Sequence, residues 1–542
     1  MHVVRESTAG EIYRDGRVLT LPGNPDHFYR TLPMEAGVDV LIVGAGPTGL
    51  VLALWLTRLG VSVRIVDCTA APGTTSRALA VQGRTLESYL QLGIADRVVA
   101  AGRQVSAVNL WVQGHRRAHV FFGDLGRGIS PFPFALIYPQ DEHERMLVAE
   151  LAVRGVHVER QTELIAFSQN ADDVTATLRR ADGTDEPIAV RYLAGCDGAH
   201  SIVRESLGIG FGGGTYDHVF YVADVDAHGN AVTGELQVDL DVADFLAIFP
   251  LAGEGRVRLV GTVRDDAAPS GRALTFDDIK TASLARMGIT VDRTNWFSTY
   301  HVHHRVADHF RGGRAFLLGD AAHIHSPVGG QGMNTGIGDA TNLGWKLAAV
   351  LKHDADPALL DTYEPERIAF ARRLVATTDR GFTAAVSPTR TARFVRMRVV
   401  PALLPIAAHF RVARTFLYRT VSQTAVEYRD SALSRGRAGP LHGGDRLPWL
   451  DAAATAAPTD NFAPLTALWW QLHVYGTATP ALRAAADRAG LPLHEFPWQP
   501  AMRRQGFVRD HGYVVRPDGY IGLIVSPGAA GSLDAYRARR FW

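Results

Sequence analysis

Three glycines near the start of the chain have the clearest chemical potential. Gly44, Gly46 and Gly49 follow a short apolar segment, Val38 to Val43, and open a helix-forming segment. Glycines at this spacing allow a tight turn, let phosphate oxygens approach backbone N–H groups, and let the helix pack closely on the strand. Asp67 ends the next apolar segment, roughly 20 residues further on, where an acid can accept from ribose hydroxyls. The pattern predicts a site for the adenosine diphosphate half of FAD or NAD(P).

Pro47 and Thr48 occupy the first turn of the predicted helix. Proline suits this turn because its missing N–H has no intrahelical partner there. The N-terminus of a helix is partially positive, so a pyrophosphate is expected to lie against it. Arg77, in the loop after Asp67, can form a bidentate contact with phosphate oxygens.

Two later segments repeat the combination of strand, glycine and acid. In CDGAHSIVR, Asp197 stands between a strand and a helix, and in GDAAH, Asp320 follows Gly319 at the end of a short buried strand. Both carboxylates can accept from ribityl hydroxyls. A glycine-rich loop then precedes a helix expected to begin near Met333, and its positive end suits the electron-rich edge of a reduced flavin.

Gln140 stands where a strand is expected to give way to a helix. Its amide can donate to and accept from a flavin or a ribityl group, although a helix cap is the better explanation when the residue is taken alone. His301 and His303 share one face of a predicted strand, but no nearby Cys, Asp or Glu completes a metal-binding set. We therefore predict no metal site.

Composition limits the classes of partner. Lys plus Arg number 56 and Asp plus Glu number 55, so nucleic-acid binding has no electrostatic support. The two cysteines, Cys68 and Cys196, have no metal-type or redox-type spacing and fit a reducing compartment. The longest apolar stretch, Val399 to Phe410, contains two prolines and predicts a core or interface helix rather than a membrane anchor. We expect a cytoplasmic protein without a membrane partner.

The pattern of apolar and polar residues along the sequence predicts the secondary-structure elements that position these residues. Residues 1–37 are polar and contain a hairpin signal at Asp15-Gly16. Residues 211–305 are rich in strands and predict an antiparallel sheet whose face can roof a pocket.

Together the motifs resemble the single-component (group A) FAD-dependent aromatic hydroxylases with the para-hydroxybenzoate hydroxylase fold. GAGPTG at 44–49, CDGAHSIVR at 196–204, and GDAAH with GGQGMN between 319 and 334 occur in the family order. TLE at 85–87 and YEPER at 363–367 also resemble this family. The region after Pro440 resembles the C-terminal thioredoxin-like domain of the phenol and polyketide hydroxylase branch, but it contains no cysteine, which excludes a redox role and leaves packing or dimerisation.

The resemblance implies an α/β architecture with a Rossmann-type (GR2) FAD-binding domain interleaved with an antiparallel-sheet substrate domain, followed by linking helices and a thioredoxin-like domain. The boundaries it suggests are an N-terminal extension at 1–37; an FAD-binding domain at 38–105, 140–210 and 306–385; a substrate-binding sheet domain at 106–139 and 211–305; linking helices at 386–439; and a thioredoxin-like domain without cysteines at 440–542.

The resemblance also implies an activity: NADPH or NADH reduces FAD, O2 forms a C4a-hydroperoxyflavin, and an aromatic substrate is hydroxylated. The branch resembled favours a phenolic, polycyclic polyketide-type substrate, and a homodimer is compatible with it. A base is expected to deprotonate the phenol, and the candidates are Tyr216, Asp217 and His325. The residues expected to bind the cofactor are Gly44, Gly46, Pro47, Thr48, Gly49, Asp67, Arg77, Gln140, Asp197, Gly319, Asp320, Pro327, Gly330, Gly332, Met333 and Asn334.

Other reactions stay open at this point. A simple phenol is the nearest alternative substrate, and Baeyer–Villiger oxidation or epoxidation on the same fold is a further alternative reaction. A flavin-dependent reductase or dehydrogenase that does not activate oxygen belongs to a different class, as does an FAD-binding protein without catalysis. The fold alone does not choose among them. The sequence also leaves open the position of hydroxylation and the choice between NADPH and NADH.

Overall fold

A computed structural model describes most of the chain. The described residues are 12–14, 17–19, 37–73, 78–121, 125–239, 245–264, 274–279, 282–325, 330–386, 389–455 and 459–542, with backbone only at 12–14, 17–19, 216–218, 263–264, 282, 379–386, 408 and 411. Strands Ile12–Arg14 and Arg17–Leu19 pair in antiparallel fashion, so the predicted hairpin at Asp15-Gly16 is confirmed.

A six-stranded sheet, here the central sheet, carries the predicted glycine loops. Five neighbouring strands are parallel, and the edge strand Arg311–Gly312 is antiparallel. Val40–Val43 lies between its neighbours as a fully buried apolar segment, as expected for a strand covered on both faces. In spatial order the strands are Val158–Arg160, Val63–Asp67, Val40–Val43, Tyr192–Gly195, Ala315–Leu317 and Arg311–Gly312.

Helices cover this sheet. Pro47–Arg58 packs against Gly332–Lys352, and both contribute to the largest apolar core. Further helices in this part of the chain are Gly83–Leu92, Ala95–Ala101, Gln140–Val153, Ile202–Ser206 and Tyr363–Val386, with 3-10 turns at Gly319–Ala321 and Pro357–Thr362. Two small sheets complete it, formed by Glu163–Gln169, Val174–Arg179 and Asp185–Val190, and by Ala80–Val81, Ala135–Ile137 and Arg103–Val105.

An eight-stranded sheet, here the roof sheet, contains the strand-rich segment. It is antiparallel except where Leu236–Asp239 pairs in parallel with Ala107–Val112. One face packs on the short helix Ala282–Arg286 through a separate apolar core, while the other faces a large cavity. A 3-10 turn lies at Phe276–Asp278. The strands in order are His323–Ile324, Ile289–Ala307, Phe211–Gly229, Arg256–Arg264, Leu246–Pro250, Leu236–Asp239, Ala107–Val112 and His115–Phe121.

Linking helices run from 390 to 421. They are Arg390–Phe394, a π-helical turn at Val395–Val399, Val400–His409 and Arg411–Val421. The break at Phe410 has extended backbone angles, and Pro405 lies inside the preceding helix. Among the described helices, none is long and apolar enough to cross a membrane.

The C-terminal unit has the predicted thioredoxin-like fold. Its sheet has the spatial order Leu493–Phe496, Gln471–Tyr475, Gly512–Val515 and Ile521–Val525, with the first pair parallel and the others antiparallel. Helices Ala452–Thr455, Pro480–Ala489, Pro500–Arg504 and Gly531–Arg537, a 3-10 turn at Ala463–Ala467, and short strands Arg437–Ala438 and Leu441–His442 complete it.

Candidate functional site

The first glycine loop is shaped by two close backbone approaches. Gly44 has φ +100°, and a Cβ there would lie 2.2 Å from the Cys196 carbonyl oxygen. A Cβ on Gly49 would lie 2.0 Å from the Gly44 carbonyl oxygen, so only glycine lets the helix begin this close to the strand. Gly46 differs, because a Cβ there would meet no atom within 4 Å. Its open side lies at the N-terminus of helix Pro47–Arg58, where a pyrophosphate can approach.

Asp67 lies beside this loop at the end of its strand. One carboxylate oxygen accepts from the Ala45 N–H at 2.7 Å, and the other accepts from the Thr69 N–H at 2.8 Å. The side chain therefore ties the glycine loop to the neighbouring strand. It remains partly exposed, as an acceptor for a ribose must be.

Asp197 lies in the second loop, which contacts the first glycine loop at Gly44. One of its oxygens accepts from the Val203 N–H at 3.2 Å, while the other is buried without a partner among the described atoms. Burial raises the pKa of this carboxyl group. Arg204 donates to the carbonyl oxygens of Ala199 at 2.9 Å and Ala321 at 3.1 Å, which joins the second loop to the third.

The third loop begins at Gly319, whose φ of +60° and contact with Thr48 leave no room for a side chain. Asp339 supports it from below: its buried carboxylate accepts from the Gly319 N–H at 3.0 Å, from His323 at 2.7 Å and from Arg367 at 2.6 Å. Burial alone would raise the pKa of Asp339, but the Arg367 charge and His323 outweigh it and hold the pKa below its usual range. Asp320 itself is exposed and lines the cavity.

Asn334 fixes the start of helix Gly332–Lys352. Its side chain accepts from the Gln82 N–H at 2.8 Å and from the Thr85 hydroxyl at 2.7 Å. It also donates to the carbonyl oxygens of Ala80 at 2.8 Å and Gly330 at 2.9 Å. The amide thus joins two walls of the cavity, and the residue is almost fully buried rather than exposed to a ligand.

A cavity of about 830 Å³ lies between these loops and the roof sheet. Of the residues predicted to hold a cofactor, some line it and others hold the loops from behind. Lining it are Gly46, Pro47, Thr48, Gln140, Asp320, Gly330, Gly332 and Met333, together with His325. Away from its surface are Gly44, Gly49, Asp67, Asp197, Gly319 and Asn334. Arg77 and Pro327 lie outside the described residues, as do the side chains of Tyr216 and Asp217 in strand Phe211–Gly229.

The cavity is apolar and nearly free of charge. The roof sheet contributes Val108, Leu236, Val238, Ala247, Phe249 and Val260, and Phe245 directly precedes one of its strands. Among the described lining residues, Asp320 is the single formally charged side chain, and three histidines, His301, His303 and His325, also line the cavity. Within the described part of the chain, no group of three or more His, Cys, Asp or Glu side chains could hold a metal ion.

Sequence reasoning missed the wall formed by the last linking helix. Leu417, Tyr418 and Val421 line the cavity, and the Tyr418 hydroxyl donates to the Phe132 carbonyl oxygen at 2.5 Å. Tyr418 fits against Gly83 and Gly126, where a Cβ would lie 2.6 Å and 2.5 Å from its ring or hydroxyl. No local motif marks this contact, because it joins segments far apart in the chain.

A buried group of charges, here the ionic cluster, joins helix Gly332–Lys352 to the C-terminal unit. Glu366 accepts from Lys346 at 2.8 Å and from Arg516 at 2.8 Å and 3.0 Å. Arg516 also donates to Asp518 at 2.7 Å, and Asp518 accepts from the Trp345 indole at 3.0 Å. Burial lowers the pKa of Lys346 to about 8. Glu366 belongs to the YEPER segment, which the sequence marked without giving it a role.

Comparison with known proteins connects this geometry to a family. Residues 37–378 match the family model described as "FAD binding domain". The chain is 37% identical over 524 residues to 6-methylpretetramide 4-monooxygenase of Streptomyces rimosus, covering 90% of this chain and 91% of the relative. It is 32% identical over 515 residues to a flavin-dependent monooxygenase of Mycobacteroides abscessus, covering 91% and 98%.

The chain belongs to the family of FAD-dependent aromatic monooxygenases. A solved relative, the OxyS anhydrotetracycline hydroxylase from Streptomyces rimosus, has a TM-score of 0.72 and 28% identity over 93% of this chain and 99% of the other. As in other FAD-dependent aromatic monooxygenases, FAD is the cofactor, and O2 and NAD(P)H are co-substrates. The predicted family, fold class and cofactor are confirmed.

The residues present fit FAD on structural grounds. Gly46 leaves open space at a helix N-terminus, Asp197 holds a buried oxygen without a described partner, and Asp320 faces the cavity. The N-terminus of helix Gly332–Lys352 also opens on the cavity through Gly332 and Met333. These are the features that a pyrophosphate, a ribityl chain and the pyrimidine edge of a flavin require.

Proposed function

We propose that this monooxygenase hydroxylates an uncharged, polycyclic phenolic substrate. The observation that carries the proposal is the cavity of about 830 Å³, whose described lining has a single formally charged side chain, Asp320. Residues assigned to FAD, such as Gly46 and Asp320, line the same cavity, so its volume is shared by the flavin and the substrate, and it is the apolar lining that indicates the substrate class. The relatives named for 6-methylpretetramide and anhydrotetracycline support a polyketide substrate of this kind.

The lack of an arginine or lysine in the described lining argues against a carboxylated substrate. A carboxylate inside an apolar cavity loses its hydration and needs a cation or several N–H donors in return. Phe249, Phe245 and Tyr300 offer aromatic surface instead. A flat, neutral ring system gains from burial against them without such a cost.

FAD, when bound and reduced by NAD(P)H, supplies the oxygen-activating chemistry. The protein's part is to hold, orient and shield. We assign the pyrophosphate to Gly46 and the N-terminus of helix Pro47–Arg58, and the ribityl chain to Asp320 and Gln140. Gly332 and Met333 would meet the pyrimidine edge, where a helix N-terminus stabilises negative charge.

The phenolic proton needs an acceptor in the cavity. His325 lines it, on the same side as Gly332. His303 also lines it and shares a 2.7 Å hydrogen bond between Nδ1 and the Thr215 hydroxyl. Burial, with a further contribution from Arg305, lowers the pKa of His303, which favours the neutral ring, the form that can accept a proton. We propose His325 as the first candidate and His303 as the second.

The test uses the FAD-loaded enzyme with NADPH, labelled O2 and a set of polycyclic phenols. Hydroxylation places one labelled oxygen atom in the product, and a parallel reaction in labelled water gives no label. Ring expansion or an epoxide in the product would replace hydroxylation with one of the other oxygenations. A reduced or dehydrogenated product without label would overturn the oxygenase proposal.

The substrate class is tested with matched pairs of phenols that differ only in a carboxylate. The uncharged member should have the lower KM, while peroxide release distinguishes coupled hydroxylation from mere stimulation of NADPH oxidation. A preference for the carboxylated member would contradict the assignment of an uncharged substrate.

A further inference from the structure

The linking helices expose an unusual number of large apolar side chains. Six of them, here the linking-helix patch, are between 56% and 83% exposed: Phe394, Leu403, Ile406, Phe410, Val412 and Phe416. Val395 in the same segment is also exposed, and outside this segment the exposed large apolar side chains of the described chain are Phe121 and Val153. Phe121 ends a strand that contacts helix Val400–His409, so it extends the patch. Apolar side chains concentrated in this way mark an interaction surface.

The charge of the same segment is as uneven as its hydrophobicity. From 380 to 426 the sequence contains eight arginines and no aspartate or glutamate, in a chain whose formal net charge is +1. Arg390, Arg393, Arg398 and Arg419 are exposed. The partner of this surface must therefore accept apolar side chains and carry negative charge.

A second copy of the chain fits the charge poorly. In a two-fold symmetric contact the same patch meets itself, so arginines would face arginines with no acid from this segment between them. Helices that combine exposed Phe and Leu with arginines are instead typical of the boundary between water and an anionic bilayer.

We propose that the linking-helix patch binds the surface of a bilayer that contains anionic lipids. Phe410 and Phe416 enter the acyl boundary while Arg393 and Arg398 lie among the headgroups. This replaces the expectation of no membrane partner with peripheral binding, without a spanning helix.

Helix Arg411–Val421 connects the two surfaces. Phe416 faces outward, whereas Leu417, Tyr418 and Val421 line the cavity. Binding at the patch would place the cavity next to the membrane, where an apolar polycyclic phenol accumulates. This last step alone rests on the proposed function; lipid binding does not.

The experiment is sedimentation of the FAD-loaded protein with vesicles. One set contains phosphatidylcholine alone, and the other contains phosphatidylcholine with phosphatidylglycerol. We expect binding to the anionic vesicles that weakens as salt rises, because exposed charges are screened. The variant Arg393→Gln with Arg398→Gln should bind about fivefold more weakly for each arginine removed, and Phe410→Ser with Phe416→Ser should lose most of the binding.

Matched controls come from the rest of the surface. Val153→Ser changes an equally exposed apolar residue far along the sequence from the patch, and Arg503→Gln with Arg504→Gln removes two other exposed arginines. Both should bind as the parent does. FAD content, measured for every variant, identifies any that has failed to fold, and a conservative Phe410→Tyr exchange then replaces it.

Three outcomes would overturn the proposal. The first is no binding to anionic vesicles, and the second is binding that the patch variants leave unchanged. The third is a dimer in solution that these variants convert to monomers, which would assign the patch to a second copy. Because sedimentation needs no turnover, loss of hydroxylase activity in the labelled-oxygen test leaves this result independent.

Discussion

The cavity and the ionic cluster place charge in opposite ways. The described cavity lining holds one formally charged side chain, whereas a few helical turns away Lys346, Glu366, Arg516 and Asp518 are all buried and paired. Both regions depend on helix Gly332–Lys352, which opens on the cavity at its start and carries Lys346 near its end. Buried ion pairs hold this helix near its C-terminus. Its N-terminus can therefore present backbone N–H groups to the cavity without charged side chains beside them.

The difference between the two regions shows which residues hold the cavity lining in place. A flavin and a neutral substrate need N–H groups and apolar surface held in place, and charged side chains in the cavity would oppose a neutral ligand. The positioning is therefore done from behind by Asp339 and the ionic cluster. The C-terminal unit, which lacks cysteines, contributes Arg516 and Asp518 to this frame rather than redox chemistry.

The largest expected effect is that of breaking the ionic cluster. Arg516→Met leaves the Glu366 and Asp518 carboxylates buried with too little positive charge, and removal of one partner of a buried ion pair costs about 3–5 kcal/mol of unfolding free energy. Urea unfolding measures the loss. Arg509→Met, at an exposed arginine of the same unit, is the control and should change stability by less than about 0.5 kcal/mol. A similar loss of unfolding free energy in both variants would show that the ionic cluster does not stabilise the fold.

The glycine loop separates structural from ligand-binding roles. Gly49→Ala forces a Cβ to 2.0 Å from the Gly44 carbonyl oxygen and should cost about 3 kcal/mol of stability even without FAD. Gly46→Ala meets no protein atom within 4 Å, so the protein without FAD should keep its stability while FAD binds more weakly. Unfolding curves and FAD titration distinguish the two. Equal losses of stability would contradict the assignment of Gly46 to the pyrophosphate.

Acid should weaken the fold through His143. This side chain is fully buried, shares a 2.9 Å hydrogen bond with the Tyr89 hydroxyl, and burial lowers its pKa to about 3. The unfolded chain takes up the proton near pH 6.5 and the folded chain does not, so stability is full above pH 6.5 and declines as pH falls toward 3. Between pH 7 and pH 5 the loss from this group is about 2 kcal/mol.

The variant His143→Gln removes this titration. Its stability at pH 7 falls with the altered packing, but its decline between pH 7 and pH 5 should be flatter than that of the parent protein. Parallel curves for the two proteins would show that other groups control the acid response.

The smallest effect is expected in the cavity. Phe249→Leu removes aromatic surface from a lining residue without leaving a charge or polar group unpaired. The KM for a polycyclic phenol should rise about fivefold, for a loss of ~1 kcal/mol of contact energy, while stability changes little. A large loss of stability with an unchanged KM would show that Phe249 supports the fold rather than the substrate.

Local signals allowed much of the site to be predicted. Each glycine loop combines a strand, a glycine and an acid within a few residues, so Gly44, Asp197 and Asp320 were recognisable without a structure. The helix start near Met333 was recognisable for the same reason, and the structure begins that helix at Gly332.

Long-range contacts were not predictable in this way. Asn334 was predicted as a cofactor-binding residue, but no local signal predicted that its side chain accepts from the Gln82 N–H, 252 positions away in sequence. Tyr418 reaches the Phe132 carbonyl oxygen across a separation of 286 positions. Such contacts depend on how sheets and helices assemble, which periodicity does not encode.

The tryptophans at the ionic cluster have a practical consequence. Trp345 donates to Asp518 and meets the Trp470 ring edge to face at 5.5 Å between centroids, with both indoles buried. Their fluorescence emission should therefore be blue-shifted in the native protein and move to longer wavelengths when the C-terminal unit separates from the FAD-binding helices. Because the chain contains nine tryptophans, the part of this shift that reports the contact is the part lost when Trp345 and Trp470 are replaced by phenylalanine.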